Sequence, residues 1–539
     1  MFRTLTAIAL TGLLLCSCEP TQRTNPEAEK ARAAARIKAQ QEKAAADAEA
    51  ARLAEESRRK AAEEAAAREA ALKPPPAPEP SSSILLVNST LQNYKPMQPW
   101  EKENESRARA LGVSLGNGMV LTTANVVKAS TYVELSLPDQ SRMVPARVLR
   151  VDEGLNLALL SVLHETDASL IGERVALQTG EPLKQGDTAE LAGLVDGIVP
   201  VKVPMQVESF AVDTVPQLQL RVARPIPSNH DSGAPVMKDG KLVGLSMEYD
   251  SDTMLLNVVN AEMIQRFLSY QDGEVVPVMG LQFAVLSDPV FRRYLKLEPN
   301  SGGLYISKVH PGGSAAEVGI REGDVLMAVD GMPIANVGRC KHPLYGTLDA
   351  TAVLRGHKPV GAVMNLTISR AGQLQNFNMP LDCKAADARI FGRDKVGVQP
   401  RYVMWGGLLF QPLTETFLNH LRSASGGNLP LEFQKLVNDE DALRAEGITE
   451  VVALTAVVPT PATLGYDAVR FCRVEAVNGK QVKNFADFAR LLDEPTEDGI
   501  VELRLNKAPF RIYLDVNAVE SANRILQEKG ISPLRVVER

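Results

Sequence analysis

The chain has 539 residues, 45% of them hydrophobic and 23% charged, with 59 basic against 65 acidic side chains and a net charge of −6. That length exceeds one ordinary core and predicts roughly three or four domains, while the net acidity excludes the basic face that a nucleic-acid binder carries. Five cysteines exclude a disulfide scaffold, and the ordinary apolar content excludes both a disordered chain and a polytopic membrane protein.

Met1-Phe2-Arg3 is followed by an apolar run from Leu5 to Leu15. The run is shorter than the about 20 apolar residues that cross a bilayer, and it suits a secretory signal. It ends Leu15-Cys16-Ser17-Cys18, which resembles the bacterial lipoprotein box, because a small residue precedes Cys18 whereas bulky Leu15 precedes Cys16. The resemblance implies a signal peptide over 1–18, lipidation of Cys18 and a membrane anchor. A plain secretory signal with two incidental cysteines is the alternative. Beyond the anchor remain Cys340, Cys383 and Cys472, a scattered trio that predicts buried thiols and not a redox motif.

Residues 19–73 are dominated by Ala, Glu, Lys, Arg and Gln from Glu27 onward. These strong helix formers with interleaved charges predict a single helix of about 45 residues, ~70 Å long. Positions that would form a heptad seam hold Ala, with Ile37 and Leu53 as exceptions, so a solvated stalk is expected ahead of a tight coiled coil. The prolines at 74, 75, 76, 78 and 80 stop the helix and make a stiff linker over 74–83.

From residue 84 to 272 the texture is short β-rich runs with Gly and Pro punctuation: Gly112-Val-Ser-Leu, Met119-Val-Leu-Thr-Thr, Tyr132-Val-Glu-Leu-Ser-Leu and Leu157-Ala-Leu-Leu-Ser-Val. Strands at this spacing predict an all-β barrel or sandwich, closed by a helix over Ala261 to Tyr270. Residues 273–383 and 384–539 then form two small related domains. The stretch Val474 to Leu492 repeats the strand, turn, strand and helix order centred on Ile320 to Gly331.

Three segments in the β region carry chemistry. Asp231-Ser232-Gly233-Ala234-Pro235 resembles the nucleophile loop of trypsin-fold serine proteases, where a glycine lets the chain approach closely behind the serine. Upstream, Val120-Leu-Thr-Thr-Ala-Asn-Val-Val is similar to the segment that carries the family's histidine. Asp152-Glu-Gly-Leu-Asn-Leu-Ala-Leu-Leu is similar to the segment that carries its aspartate. With the small domains downstream, residues 105 to 539 resemble the HtrA/Deg family, a trypsin-like domain followed by PDZ domains. The implied fold is multidomain and mainly β: a trypsin-like double β-barrel, then two PDZ-like α+β domains, preceded by the long Ala-rich helix.

The departures from that family decide what the site can do. Asn125 stands at the base position and Asn156 at the acid position, and Ser232 alone of the three is kept. A carboxamide has no lone pair basic enough to take the serine proton or return it to a leaving amine. Losing the base alone costs on the order of 10⁶ in turnover by analogy with triad knockouts. Without an imidazolium to face, a buried aspartate would be an unpaired charge, which Asn156 avoids. His230 stands where the family has an oxyanion-loop glycine; it either strains the loop by ~1–3 kcal/mol or accompanies a collapsed loop. The remaining histidines, at 164, 310, 342, 357 and 420, are expected in loops or on the surface.

Val278-Met279-Gly280-Leu281 resembles the carboxylate-binding loop of HtrA-type PDZ domains. The resemblance implies that the backbone at Met279, Gly280 and Leu281 grips a peptide C-terminus while the next strand edge pairs with the peptide. Segment 340–356, with Cys340 and His342, reads as an insertion and not a metal site. The last region, from Tyr402-Val-Met-Trp-Gly-Gly-Leu-Leu-Phe-Gln-Pro-Leu onward, resembles the second PDZ-like domain of plant-type Deg proteins, lacks a clear carboxylate loop, and reads as an assembly or regulatory element.

No cofactor and no metal are expected. Two functions stay open. The first is a periplasm-facing, lipid-anchored pseudoprotease of the bacterial cell envelope. It would bind C-terminal or unfolded polypeptide segments as a scaffold or chaperone, with a homotrimer implied by the family resemblance. The alternative is an active serine endopeptidase of envelope quality control that uses Ser232 with a non-standard base.

Overall fold

The computed structural model describes residues 83–538 apart from 138–141, 196–198, 213–215, 224, 227–231, 271–275, 299–300, 357 and 385–387. The signal segment with Cys18, the Ala-rich segment, residues 74–82 of the proline-rich linker and His230 lie outside the described residues.

Two closed six-stranded barrels come first. One runs in the order Ile84–Leu91, Ser106–Gly116, Met119–Thr123, Leu157–Val162, Met143–Asp152, Ser130–Ser136. The other runs Val199–Val212, Pro216–Val222, Leu255–Asn260, Lys241–Asp250, Pro235–Lys238, Thr188–Val195. The first strand shows why its sequence is apolar without alternation. Leu85 and Val87 fill the interior of the first barrel with Val120 and Leu160. Ile84 and Leu86, on the opposite face, join the core of the second barrel with Leu111 and Leu121. Side chains of a strand point alternately to two sides, and here both sides are buried. This shared wall brings segments from both barrels to one cleft.

The helix Ala261–Ser269 closes the second barrel. Asn260 caps it by accepting from the Met263 N–H at 2.9 Å, and Met263, Ile264 and Phe267 form its buried stripe.

The next sheet runs Leu281–Val285, Leu304–Val309, Val325–Val329, Val363–Arg370, Gln373–Pro380. Beneath it Arg370 grips the buried Asp324 carboxylate with two hydrogen bonds of 2.8 and 2.7 Å. The expected insertion is a hairpin, Arg339–His342 with Gly346–Asp349, followed by the helix Ala350–Gly356. Tyr345 at its turn is buried against the second barrel. Its ring centroid lies 4.8 Å from that of Phe210, and its hydroxyl donates to Glu262 Oε2 at 3.2 Å while accepting from Asn260 Nδ2 at 3.3 Å. The insertion therefore clamps this domain to the barrel.

The C-terminal sheet runs Arg511–Asp515, Ile500–Leu505, Cys472–Val477, Val452–Val457, Leu408–Pro412, Tyr402–Trp405, Arg535–Val536. A hairpin from the N-terminal region, Tyr94–Lys95 with Gln98–Lys102, sits on this domain. Gln411 Nε2 donates to Pro96 O at 2.9 Å, Gln399 Nε2 donates to Pro99 O at 3.2 Å, and the Trp100 ring lies 6.1 Å from that of Tyr402.

Two local expectations are corrected. His342 is neither a surface nor a loop residue: it is buried at the end of a strand, its Nδ1 accepts from the N–H groups of Leu344 and Tyr345 at 3.2 and 3.3 Å, and its ring stacks on Tyr345. His420 is half-buried on the helix Glu415–Ala424. Of the three thiols, Cys340 and Cys472 are buried, but Cys383 is only half-buried, because it lies on the connection between the two small domains. Among the described residues no helix is long and apolar enough to cross a membrane, and no group of His, Cys, Asp and Glu could hold a metal ion.

Candidate functional site

The nucleophile loop is fastened to the first barrel through its backbone. The Leu111 N–H donates to Ser232 O at 3.0 Å, and the Thr122 hydroxyl donates to Leu111 O at 2.8 Å. Behind the serine, the Gly233 N–H donates to Ser246 O at 2.8 Å and the Ala234 N–H donates to the Ser246 hydroxyl at 2.8 Å. Gly233 has φ +78°, and a Cβ there would lie 2.1 Å from Leu111 O, so only glycine fits.

Asn125 lies in the one-turn helix Ala124–Val127 that follows the strand Met119–Thr123. Its backbone N–H donates to Asn156 Oδ1 at 2.9 Å, and the Ala124 N–H donates to Asn156 O at 3.0 Å. Asn156 holds φ +53°, a left-handed conformation that asparagine tolerates better than most residues. Its Nδ2 donates to Met247 Sδ at 3.6 Å.

The three sequence segments thus meet at one cleft. The side chains do not form a relay: Ser232 Oγ lies 3.3 Å from Thr123 Oγ1, and among the described residues this is its side-chain hydrogen bond. Sequence reasoning missed Thr123, although it lies only two residues before Asn125. Asp152 is a buried carboxylate in the same loop as Asn156, and its Oδ1 accepts from the Leu155 N–H at 2.8 Å, which shapes the turn. Among the described residues, the Thr123 hydroxyl and the carboxamides of Asn125 and Asn156 do not titrate in the range a general base needs.

A second site lies on the first small domain. Met279 is buried in the core, Gly280 has φ +69°, and Gly280 O accepts from the His310 N–H at 2.8 Å. The Val278 N–H is taken by Asp382 O at 2.9 Å. The strand Leu281–Val285 is paired only with Leu304–Val309, which leaves its other edge open among the described residues. A cleft of about 710 Å³ opens beside Met279, Gly280 and Leu281 and reaches Thr351, Arg355 and the Glu153-Gly154 turn of the barrel. His310, on this cleft, is held below the usual histidine range by burial.

The C-terminal domain differs. Its Gly406-Gly407 turn precedes the strand Leu408–Pro412, but that strand is paired on both sides, with Tyr402–Trp405 and with Val452–Val457. Its edge cannot accept another strand.

Residues 280–341 match the PDZ domain family, and residues 392–535 match a second PDZ domain family. The chain is 26% identical over 415 residues to the chloroplastic protease Do-like 2 of Arabidopsis thaliana, covering 73% of this chain and 65% of that protein. It is 22% identical over 285 residues to the periplasmic serine endoprotease DegP of Escherichia coli (strain K12), covering 50% of this chain and 55% of that protein. The chain is similar to proteins of the HtrA/Deg family. Its trypsin-like double barrel followed by PDZ domains is the HtrA/Deg fold expected from the sequence. A solved structure of the HtrA-type protease AlgW with decapeptide is similar with a TM-score of 0.40 and 17% identity, over 56% of this chain and 95% of that one.

Proposed function

We propose that this HtrA/Deg-like chain is a pseudoprotease: a peptide-binding scaffold or chaperone whose barrel cleft no longer cleaves. The observation that carries the reading is the pairing of Ser232 with Thr123, beside an Asn125–Asn156 hydrogen bond between the two residues that the resemblance aligns with base and acid. A hydroxyl partner cannot accept the serine proton, so attack on a peptide carbonyl has no driving base.

Peptide capture falls to the first PDZ domain. The open edge of Leu281–Val285 and the turn at Met279, Gly280 and Leu281 suit strand addition by a C-terminal segment. The second PDZ domain, whose corresponding strand is already paired on both sides, serves assembly or regulation. Lipidation at Cys18 would hold the chain in the bacterial cell envelope facing the periplasm, and a trimer through the barrels fits the family.

The test treats the full chain with a fluorophosphonate probe and with casein. No labelling of Ser232, no cleavage, and suppressed aggregation of a denatured client are expected. Covalent labelling at Ser232, or cleavage abolished by Ser232→Ala, would overturn the pseudoprotease reading in favour of an active endopeptidase. Incorporation of radiolabelled palmitate, lost in Cys18→Ala, tests the anchor.

A further inference from the structure

The cleft beside Met279, Gly280 and Leu281 is lined by more than its own domain. Arg355 reaches it from the helix Ala350–Gly356, and Arg389 and Arg393 reach it from the connection to the second PDZ domain. Arg389 Nη1 and Arg393 Nε both contact Glu415 Oε2, at 3.3 and 2.8 Å. Arg393, aided by Arg389, holds the Glu415 carboxyl below the usual carboxylate range. Arg355 is exposed, and Glu153 is the acidic side chain on the lining. Three guanidinium groups against the carboxylates of Glu153 and Glu415 leave the cleft net positive, within a chain whose net charge is −6.

We propose that this cleft selects polypeptides with acidic side chains in the last few residues before the C-terminus, and that Arg355, Arg389 and Arg393 read them. The inference rests on the reading of this PDZ groove as a peptide site. The turn at Met279 to Leu281 takes the terminal carboxylate, and the apolar wall formed by Val276, Met279 and Phe283 takes the terminal side chain. A strand added to the open edge advances about 3.3 Å per residue, so the residues just before the terminus run between that edge and the helix that carries Arg355. Guanidinium groups suit this task because they present several donors to a carboxylate in a fixed plane. Charge complementarity of this kind acts chiefly on specificity.

The arrangement also explains why the selecting groups come from two domains. Glu415 orients two of the three arginines, and it belongs to the second PDZ domain. The domain with the closed edge thereby shapes the ligand site of the domain with the open one.

The experiment measures anisotropy of fluorescein-labelled decapeptides on the full chain. One peptide ends in a free valine carboxylate preceded by two Glu within three positions. A second replaces both Glu by Gln, and a third is the acidic peptide with an amidated C-terminus. The acidic peptide is expected to bind about tenfold tighter than its Gln counterpart, a gap that narrows toward ~0.5 M salt. Arg355→Gln, at an exposed position, and Arg389→Gln are each expected to narrow the gap about threefold. Equal binding of the Glu and Gln peptides, with loss on amidation, overturns the arginine inference and leaves the groove reading standing. A Glu preference that Arg355→Gln abolishes but amidation does not touch keeps the arginines and overturns carboxylate capture. Failure of all three peptides to bind overturns both.

Discussion

The hydroxyl of Thr123 lies 3.3 Å from that of Ser232, across the cleft between the two barrels, so the serine's side-chain partner is a neutral hydroxyl and not a base. Rebuilding the relay therefore needs more than one residue. Asn156 Oδ1 already accepts from the Asn125 backbone N–H at 2.9 Å, so a carboxylate at 156 can keep that bond while facing a histidine at 125. The double variant Asn125→His with Asn156→Asp is expected to gain fluorophosphonate labelling at Ser232 yet to stay well below full turnover, because the family resemblance aligns His230 with an oxyanion-loop glycine. Adding His230→Gly is expected to raise turnover further. Full casein cleavage by the double variant alone would show that His230 does not matter.

Gly233 admits no side chain. Its positive φ, and the 2.1 Å that would separate an added Cβ from Leu111 O, make Gly233→Ala a backbone collision and not a simple overpacking. Destabilisation of about 3 kcal/mol or more is expected, read as a lowered midpoint in urea unfolding. A variant as stable as the parent would mean that the loop behind Ser232 moves freely.

Tyr345 fastens the first PDZ domain to the second barrel by two separable means. Tyr345→Phe keeps the ring beside Phe210 and removes the hydrogen bonds to Glu262 and Asn260, for a loss of about 1 kcal/mol. Tyr345→Ala also removes the ring and costs about 3 to 5 kcal/mol. Hydrogen exchange should rise in the helix Ala261–Ser269 for the alanine variant. Unchanged exchange there would show that the clamp is not needed to hold the helix.

Burial pushes the Cys472 thiol up to about 12, with Lys507 opposing and Glu432 adding to the rise. The unfolded thiol ionises at about 8.5. Because the folded pKa is the higher one, this contribution to stability is complete below about pH 8.5 and is lost as the pH climbs toward 12. Cys472→Ala should flatten that alkaline slope. In the native protein, iodoacetamide is expected to modify Cys383 but neither Cys472 nor Cys340, whose thiol burial also pushes upward. Modification of Cys472 without denaturant would contradict its burial.

Arg370 faces a carboxylate that cannot escape to water, since the Asp324 side chain is only 3% exposed. Arg370→Met is expected to destabilise the first PDZ domain by about 3 to 5 kcal/mol by leaving that charge alone. Pairing it with Asp324→Asn should recover most of the loss, and a double-mutant cycle in urea measures how much.

The parts of this molecule that were legible in its sequence are those written in consecutive residues. Val120 to Val127, Asp152 to Leu160 and Asp231 to Pro235 each carry a local pattern, and their order along the chain implied the double barrel. The strand, turn, strand and helix over Cys472–Val477, Lys480–Gln481 and Phe485–Leu492 was legible for the same reason. What stayed hidden is contact between residues far apart. Thr123 meets Ser232 across 109 positions, and Pro96 meets Gln411 across 315. Tyr345 looked like part of a loop insertion because nothing around it announces the barrel surface that buries it. The arginines of the peptide cleft come from a helix and a connecting segment whose convergence no spacing rule encodes.

The chain has two tryptophans, Trp100 and Trp405. Trp100 belongs to the hairpin that sits on the C-terminal sheet and lies against Tyr402, and Trp405 is three residues further along that same strand. Intrinsic fluorescence excited at the indole band is therefore an optical gauge of one junction. It will follow the seating and lifting of that hairpin, and it will stay dark to any rearrangement confined to the barrels or to the first PDZ domain.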